Sequence, residues 1–371
     1  MKLLIIARPF VFHGGVETAT AGLLRALVPH GHDVQMLIVG GGGGAGAAVP
    51  GVRADRLWVP PLPAAMRALA QAAAARLAMR RRSWDVVQSH ERTLGQDVYR
   101  AGEGCHRAYL DAVGGGRGRS LHHAVVLALE RRVFATTPRI AAIARMGRDE
   151  IGRLYAVPPA RMSVIYNGVD LERFHPRHRE QLRASTRARA GVPADAWVTL
   201  FVGSGFARKG LDVAIEGFAA LGDRSARLVV LGKGDTAVYR ALAERHSVAA
   251  RVTWLPPSPA LEEWYGAADV LALPTRYEPF GNVHLEALAC GLPVITTSRA
   301  GGSEVLDRHS GAVIAPDDAN ALGAALERFR AADGKAVAVA ARAAAAPYTY
   351  HRQVAAFEEL YRGRHAKGHF P

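Results

Sequence analysis

The run Glu278-Pro279-Phe280-Gly281-Asn282-Val283-His284-Leu285-Glu286, closed by Gly291-Leu292-Pro293, decides how this chain is read. Pro279 and Gly281 break the chain, and 282–290 then reads as a helix that Gly291-Leu292-Pro293 stops. Glu278 falls at the mouth of a loop and Glu286 in the first turns of the helix, with the N–H groups of 281–284 between them. Carboxylates accept from sugar hydroxyls and a helix N-terminus favours phosphate charge, so the pattern suits a phosphorylated sugar. Alone, the same run also fits a Gly/Pro turn before a helix carrying two solvated acids. Its surroundings choose between the two.

Around it apolar strands alternate with helical runs. Strands are predicted at Val198–Val202, Leu228–Leu231, Val252–Leu255, Val270–Leu273 and Val294–Thr296. The first half repeats the pattern: a strand over Lys2–Arg8, a helix over about 16–29 with Val16, Thr20, Leu23, Leu24 and Leu27 on one face, then a strand over Val34–Val39. Further strands are expected at Asp85–Ser89, Ile140–Ile143 and Ser163–Ile165, and helices at 63–81 and 121–134. Asn167-Gly168-Val169-Asp170 closes this half, and Phe174-His175-Pro176 begins a charged segment to about 190 that contains the linker.

A chain of 371 residues exceeds one comfortable core. The expectation is therefore an α/β protein of two Rossmann-like βαβ domains facing across a cleft, 1–175 and 176–348. A last helix at about 349–363 carries Val354, Phe357, Leu360 and Tyr361 on one face. In open parallel sheets, ligands bind beyond the carboxyl ends of the strands, where the motif-bearing loops fall.

Composition narrows the class. Hydrophobic residues make up 49% and charged residues 22%, as in a globular protein. Cys105 and Cys290 lie far apart and form no metal-ligand spacing, which favours a reducing compartment. Leu3–Ala7 is too short for a signal peptide or membrane span, so the expected place is the cytoplasm. The formal charge of +14 comes almost wholly from Arg and gathers in the first half. Arg80-Arg81-Arg82-Ser83-Trp84 suits an anionic membrane surface. No helix-turn-helix, zinc-finger or RNP-like signature accompanies the charge, so nucleic acid is not an expected partner.

The remaining loops carry the chemistry. Gly14-Gly15 opens the first helix and lets an anion approach the backbone. Gly41-x-Gly43-x-x-Gly46 matches a dinucleotide fingerprint only formally, since Pro50-Gly51 leaves no helix after it. Gly203-Ser204-Gly205-Phe206-Ala207-Arg208-Lys209-Gly210 sets two cations on a glycine-flanked loop, able to cradle a diphosphate. Leu231-Gly232-Lys233-Gly234-Asp235 ends the next strand and suits the border of a nucleobase. His90, after the strand ending at Ser89, and Glu103, in Ala101-Gly102-Glu103-Gly104, suit proton chemistry or acceptor contacts. No HExxH, paired-Cys or clustered-carboxylate pattern appears, so neither a metal nor a cofactor is expected.

Together Gly14-Gly15, Asn167-Gly168-Val169-Asp170 with Phe174 and Pro176, Arg208-Lys209-Gly210, and Glu278-x7-Glu286 through Val294 carry a resemblance. Along nearly its whole length the chain resembles the retaining GT-B glycosyltransferases of family 4. Within them it looks most like the lipopolysaccharide-core heptose(I) α-1,3-glucosyltransferases, by Val202–Gly210 and by Tyr99–Tyr109 around Glu103. Ser204 stands where most members have Arg, and Glu103 where the subfamily has Asp. The resemblance implies a nucleotide-sugar donor on the second domain, an acceptor on the first, and a terminal segment, 349–371, that packs back on the first. It implies that Glu286 accepts from the ribose, Glu278 from the donor sugar, and that Arg208 and Lys209 neutralise the departing diphosphate. Ser204, Lys233, Phe280, Gly281, Asn282 and Val283 complete the donor site with Gly14 and Gly15; Glu103 or His90 serves the acceptor. The implied reaction moves a hexose, glucose from UDP-glucose, to a lipopolysaccharide-core or other lipid-linked glycan at the inner membrane face. The alternative is GDP-mannose-dependent transfer to a phospholipid, capsule or exopolysaccharide intermediate.

Overall fold

A computed structural model gives the fold, and it describes residues 1–8, 15–40, 49–114 and 120–363. Gly14 and the Gly41–Gly46 tract lie outside the described residues. The chain forms two compact units, Met1–Gly168 with the segment from Tyr348 onward, and Val169–Pro347.

In the first unit the strands are β1 (Lys2–Ala7), β2 (Asp33–Val39), β3 (Arg53–Leu57), β4 (Val86–Ser89), β5 (Val98–Ala101), β6 (Arg139–Ala142) and β7 (Met162–Val164). They form one parallel sheet in the order β3-β2-β1-β4-β5-β6-β7. Helices α1 (Gly15–Leu27), α2 (Ala64–Met79), α3 (His106–Val113), α4 (Leu121–Thr136) and α5 (Arg145–Tyr155) connect them. β1 shows why its sequence is apolar without alternation. Leu3 and Ile5 pack with Leu23, Leu24 and Leu27 of α1, while Leu4 and Ile6 pack with Ala75 and Met79 of α2. Both faces are covered, as parallel sheets require.

The second unit repeats the plan with β8 (Val198–Val202), β9 (Arg227–Leu231), β10 (Val252–Leu255), β11 (Val270–Leu273), β12 (Val294–Thr297) and β13 (Gly311–Ile314), in the order β10-β9-β8-β11-β12-β13. Its helices are α6 (Arg177–Arg189), α7 (Phe206–Lys209), α8 (Leu211–Ala219), α9 (Ala237–Arg245), α10 (Leu261–Ala267), α11 (Asn282–Ala289), α12 (Ala319–Ala331) and α13 (Gly334–Ala345). Finally α14 (Tyr350–Tyr361) returns to the first unit, where Val354, Phe357, Leu360 and Tyr361 join the core beside β1 and α1.

Three strands lie beyond the expected set. β3 is a charged edge strand paired to β2, β5 carries Arg100, and β13 is a short strand at a glycine. The charged segment expected to hold the linker is instead largely helix, α6. Arg179, Arg183 and Arg187, spaced by four, all reach Asp269, at 2.7, 2.8 and 2.9 Å. Charge at helical spacing replaces the apolar stripe there, which is why hydrophobic periodicity fails to find the helix.

Candidate active site

The second unit brings most of the residues expected to bind the donor to the carboxyl ends of β8, β9 and β11. The loop after β8 turns at Gly203 and Gly205, with φ of +143° and +76°, and runs into α7. At Gly203 a Cβ would meet Lys209 Cδ at 2.5 Å, so the glycine makes room for the lysine stem. The Arg208 carbonyl accepts from Arg276 N–H at 2.9 Å and Thr275 Oγ1 at 3.0 Å, tying this loop to the one after β11.

Those ties bring Arg208 and Lys209 onto one carboxylate. Arg208 Nη1 donates to Glu278 Oε2 at 2.8 Å and to the Tyr277 carbonyl at 2.8 Å; Lys209 Nζ donates to the same Oε2 at 2.7 Å. Burial alone would raise the pKa of Glu278, but Lys209 and then Arg208 hold it well below the usual carboxylate range. The Glu278 backbone is fixed as well: its N–H donates to the Arg299 carbonyl at 3.0 Å, and its carbonyl accepts from Gly301 N–H at 2.9 Å.

Gly281, at φ +85°, turns the chain into α11. His284 is fully buried beneath that turn. Its Nδ1 lies 2.7 Å from the Gly281 carbonyl, which can only accept, so Nδ1 carries the proton; Nε2 faces Thr296 Oγ1 at 3.0 Å. Burial pushes this imidazole down to about 4, so it acts as a neutral brace.

Glu286 meets different surroundings. It is 8% exposed, and Oε2 accepts from Tyr265 of α10 at 2.9 Å. Burial raises its pKa, partly offset by the Tyr265 bond, by Arg173 and by the more remote charge of Lys209. Ser204 and Lys233 meet through backbone, Lys233 N–H donating to Ser204 Oγ at 3.2 Å, and the Lys233 side chain is exposed. Phe280 is buried, while Asn282 and Val283 are half-buried. Gly15 opens α1 in the first unit.

The other two candidates also lie in the first unit. Glu103 is bonded by Arg8 Nη2 at 2.6 Å and Arg92 Nη1 at 2.7 Å. Burial would raise its pKa; Arg92 and Arg8 outweigh that and lower it. The network continues outward, Arg8 to Glu91 at 2.9 Å and Arg92 to Glu130 at 3.0 Å. Glu130 also accepts from His106 N–H and Arg107 N–H at the start of α3. His90, by contrast, is 1% exposed, and both ring nitrogens are engaged: Nδ1 with Thr20 Oγ1 at 3.0 Å, Nε2 with Gln88 Nε2 at 2.7 Å. An amide nitrogen can only donate, so Nε2 is the acceptor and His90 is a neutral Nδ1–H imidazole. Burial first, then Arg100 and Arg8, drive its pKa well down.

Sequence reasoning passed over Arg8, Arg92 and Tyr265. Arg8 follows β1 directly and Arg92 lies three residues beyond β4, so both were findable as charges near strand ends. Tyr265 sits in a short helix with no motif around it. Among the described residues no group of three or more His, Cys, Asp or Glu side chains is arranged to hold a metal ion, and no helix is long and apolar enough to cross a membrane.

Residues 13–173 match the family described as Glycosyltransferase Family 4, and residues 183–345 match Glycosyl transferases group 1. The chain has the GT-B fold, and its two halves match these two glycosyltransferase families. A D-inositol 3-phosphate glycosyltransferase from Xylanimonas cellulosilytica is 36% identical over 62% of this chain and 58% of its own length, so this chain spans little more than half of that relative. Its fold resembles that of WaaG, a glycosyltransferase involved in lipopolysaccharide biosynthesis, with a TM-score of 0.82 at 22% identity, covering 97% of this chain and all of WaaG. It also resembles Anabaena HepE in complex with UDP-glucose, with a TM-score of 0.79 at 16% identity, covering 98% of this chain and all of HepE. Relatives from Streptomyces bingchenggensis (36% identical over 50% of this chain and 43% of its own length) and Catenulispora acidiphila (37% over 48% and 47%) are likewise named D-inositol 3-phosphate glycosyltransferases.

Proposed function

We propose that this glycosyltransferase moves a hexose from a nucleotide sugar, UDP-glucose in the first instance, to an acceptor hydroxyl with retention and without a metal ion. The observation that carries the reading is the convergence of Arg208 and Lys209 on Oε2 of Glu278. Breaking the anomeric C–O bond puts positive charge on the sugar and negative charge on the leaving diphosphate. Two cations fixed beforehand stabilise that leaving group, and losing one such donor typically costs about 3–4 kcal/mol, or ~10²–10³ in rate. Because both bind Oε2, Oε1 of Glu278 is the atom offered to a sugar hydroxyl, and Glu286 takes the ribose. Glu103, ionised between two arginines, is a poor proton sink and orients the acceptor hydroxyl, whose proton leaves with the diphosphate. His90, with Nε2 engaged by Gln88, serves as scaffold.

For the acceptor we favour a lipid-linked or lipopolysaccharide-core glycan at the inner face of the cytoplasmic membrane. Met66, Leu69 and Leu77 are exposed on α2 beside exposed Arg80, Arg81 and Arg82, and Trp58 is 76% exposed. Trp84, by contrast, is half-buried against the core under α2. A phosphorylated inositol is the second reading, favoured by the names of the sequence relatives.

The test is a nucleotide-sugar panel, by calorimetry and turnover against both acceptor classes, on wild type and Lys209→Ala. UDP-glucose should bind wild type, and Lys209→Ala should lose about 10²–10³ in kcat. Absence of any sugar-nucleotide binding at millimolar concentration overturns the reading. Turnover that stops with EDTA and returns with magnesium overturns its metal-independent part, and an inverted anomeric centre in the product overturns retention.

A further inference from the structure

Arg100 stands on β5, between β4 and β6, and is 1% exposed. Its Nη2 donates to Asn167 Oδ1 at 2.7 Å. Nε and Nη1 are buried and meet no acceptor among the described residues. One residue on, Gly168 N–H donates to Oε1 of Gln353 on α14 at 3.3 Å. Gln353 is itself fully buried, and its amide nitrogen likewise meets no acceptor among the described residues. Two side chains anchored on neighbouring residues thus leave three donor atoms unanswered, and every unanswered atom of the pair is a donor.

Charge is equally one-sided. The groups that weigh on the guanidinium are the phenols of Tyr350, Tyr361 and Tyr99, with no carboxylate among them. Tyr361 is spoken for, donating to Gln88 Oε1 at 2.8 Å. Burial pushes Arg100 down only to about 10, so it stays charged at neutral pH. An unpaired buried cation is among the costliest arrangements a core can hold.

Water would accept from these donors, but it would bring two hydrogens of its own and leave the charge uncompensated. An anion answers both deficits at once. We infer that Arg100 and Gln353 together hold a small monovalent anion of the halide class inside the first unit. The enclosure sets the size limit: a monatomic ion reaches such a place through transient local opening, whereas a nucleotide or sugar phosphate does not. The site is therefore separate from the donor chemistry and does not rest on it.

Thermal unfolding in sodium chloride against sodium gluconate at equal ionic strength tests this. The wild-type Tm should rise with the logarithm of chloride once chloride exceeds Kd, by about 5 °C at a hundredfold excess. Arg100→Met should lose the chloride-specific rise, as should the milder Gln353→Met in part. Superimposable chloride and gluconate curves for wild type would overturn the inference. Should Arg100→Met fail to fold, wild-type crystals grown in bromide decide the matter without a variant. An anomalous peak within hydrogen-bonding distance of Arg100 and Gln353 supports the site. A feature there without anomalous signal, as water gives, refutes it.

Discussion

Glu278 and Glu286 are the same residue type eight positions apart, yet their surroundings pull in opposite directions. Glu278 has a lowered pKa in the folded state, so its contribution to stability is present above the ordinary glutamate pKa and lost as pH falls through the folded value. Glu286 has a raised one, so its ionisation costs stability as pH rises from the unfolded pKa through the folded one. At neutral pH, Glu278→Gln should lower Tm, by roughly 3 kcal/mol of stability, because Arg208 and Lys209 lose their counter-charge. Glu286→Gln keeps an acceptor for Tyr265 and removes a buried charge, so it should raise Tm while impairing turnover. Melting curves at pH 7 and a donor-dependent assay check both; shifts of the same sign would contradict the electrostatic account. That Arg208, Lys209 and Glu278 belong to one neighbourhood was legible because all three sit at strand ends in glycine-marked loops; that both cations bind Glu278 itself was not. The difference between the two acids was not, since it depends on Tyr265 and on burial, which no local spacing encodes.

Helices and strands were legible where burial is one-sided or complete, as in β8, β10 and β11, whose ends agree with the apolar runs that announced them. They were hidden where charge does the anchoring, as in α6 and β3. Glycines divide in the same way between motif and packing. Gly168 reads as part of a sequence signature, but its role is spatial: a Cβ there would meet the backbone of Tyr350, N at 2.5 Å and Cα at 2.6 Å, where α14 begins. Gly168→Ala should therefore destabilise by about 1–3 kcal/mol through displacement of α14. At Gly147, inside α5, a Cβ would meet nothing within 4 Å, so Gly147→Ala should stabilise by about 0.5–1 kcal/mol. Thermal melts of the two variants check the contrast, and equal effects would mean that the α14 contact does not govern Gly168.

For the molecule as a whole, the excess of arginine has two destinations. Some arginines are internal fasteners: Arg187 is 2% exposed and donates to the carbonyls of Ala267, Ala194 and Ala196 as well as to Asp269. Others are displayed, as at Arg80–Arg82 beside the exposed apolar residues of α2. Only the second group should contribute to lipid attraction, at about 1 kcal/mol per cation near an anionic surface. Co-sedimentation with phosphatidylglycerol vesicles should weaken with salt and fall by at least tenfold in the Arg80→Ser/Arg81→Ser/Arg82→Ser variant. Equal partition to phosphatidylcholine vesicles would argue against a membrane-borne acceptor.

The first unit is assembled from two stretches of chain separated by the whole of the second. During synthesis β1 and α1 leave the ribosome some three hundred residues ahead of Val354, Phe357 and Leu360, which complete their core. The inserted unit is contiguous and can finish folding first, since domains generally fold as units as they emerge. The nascent amino-terminal half must wait with an apolar surface uncovered, and that interval is where chaperones would be expected to engage it.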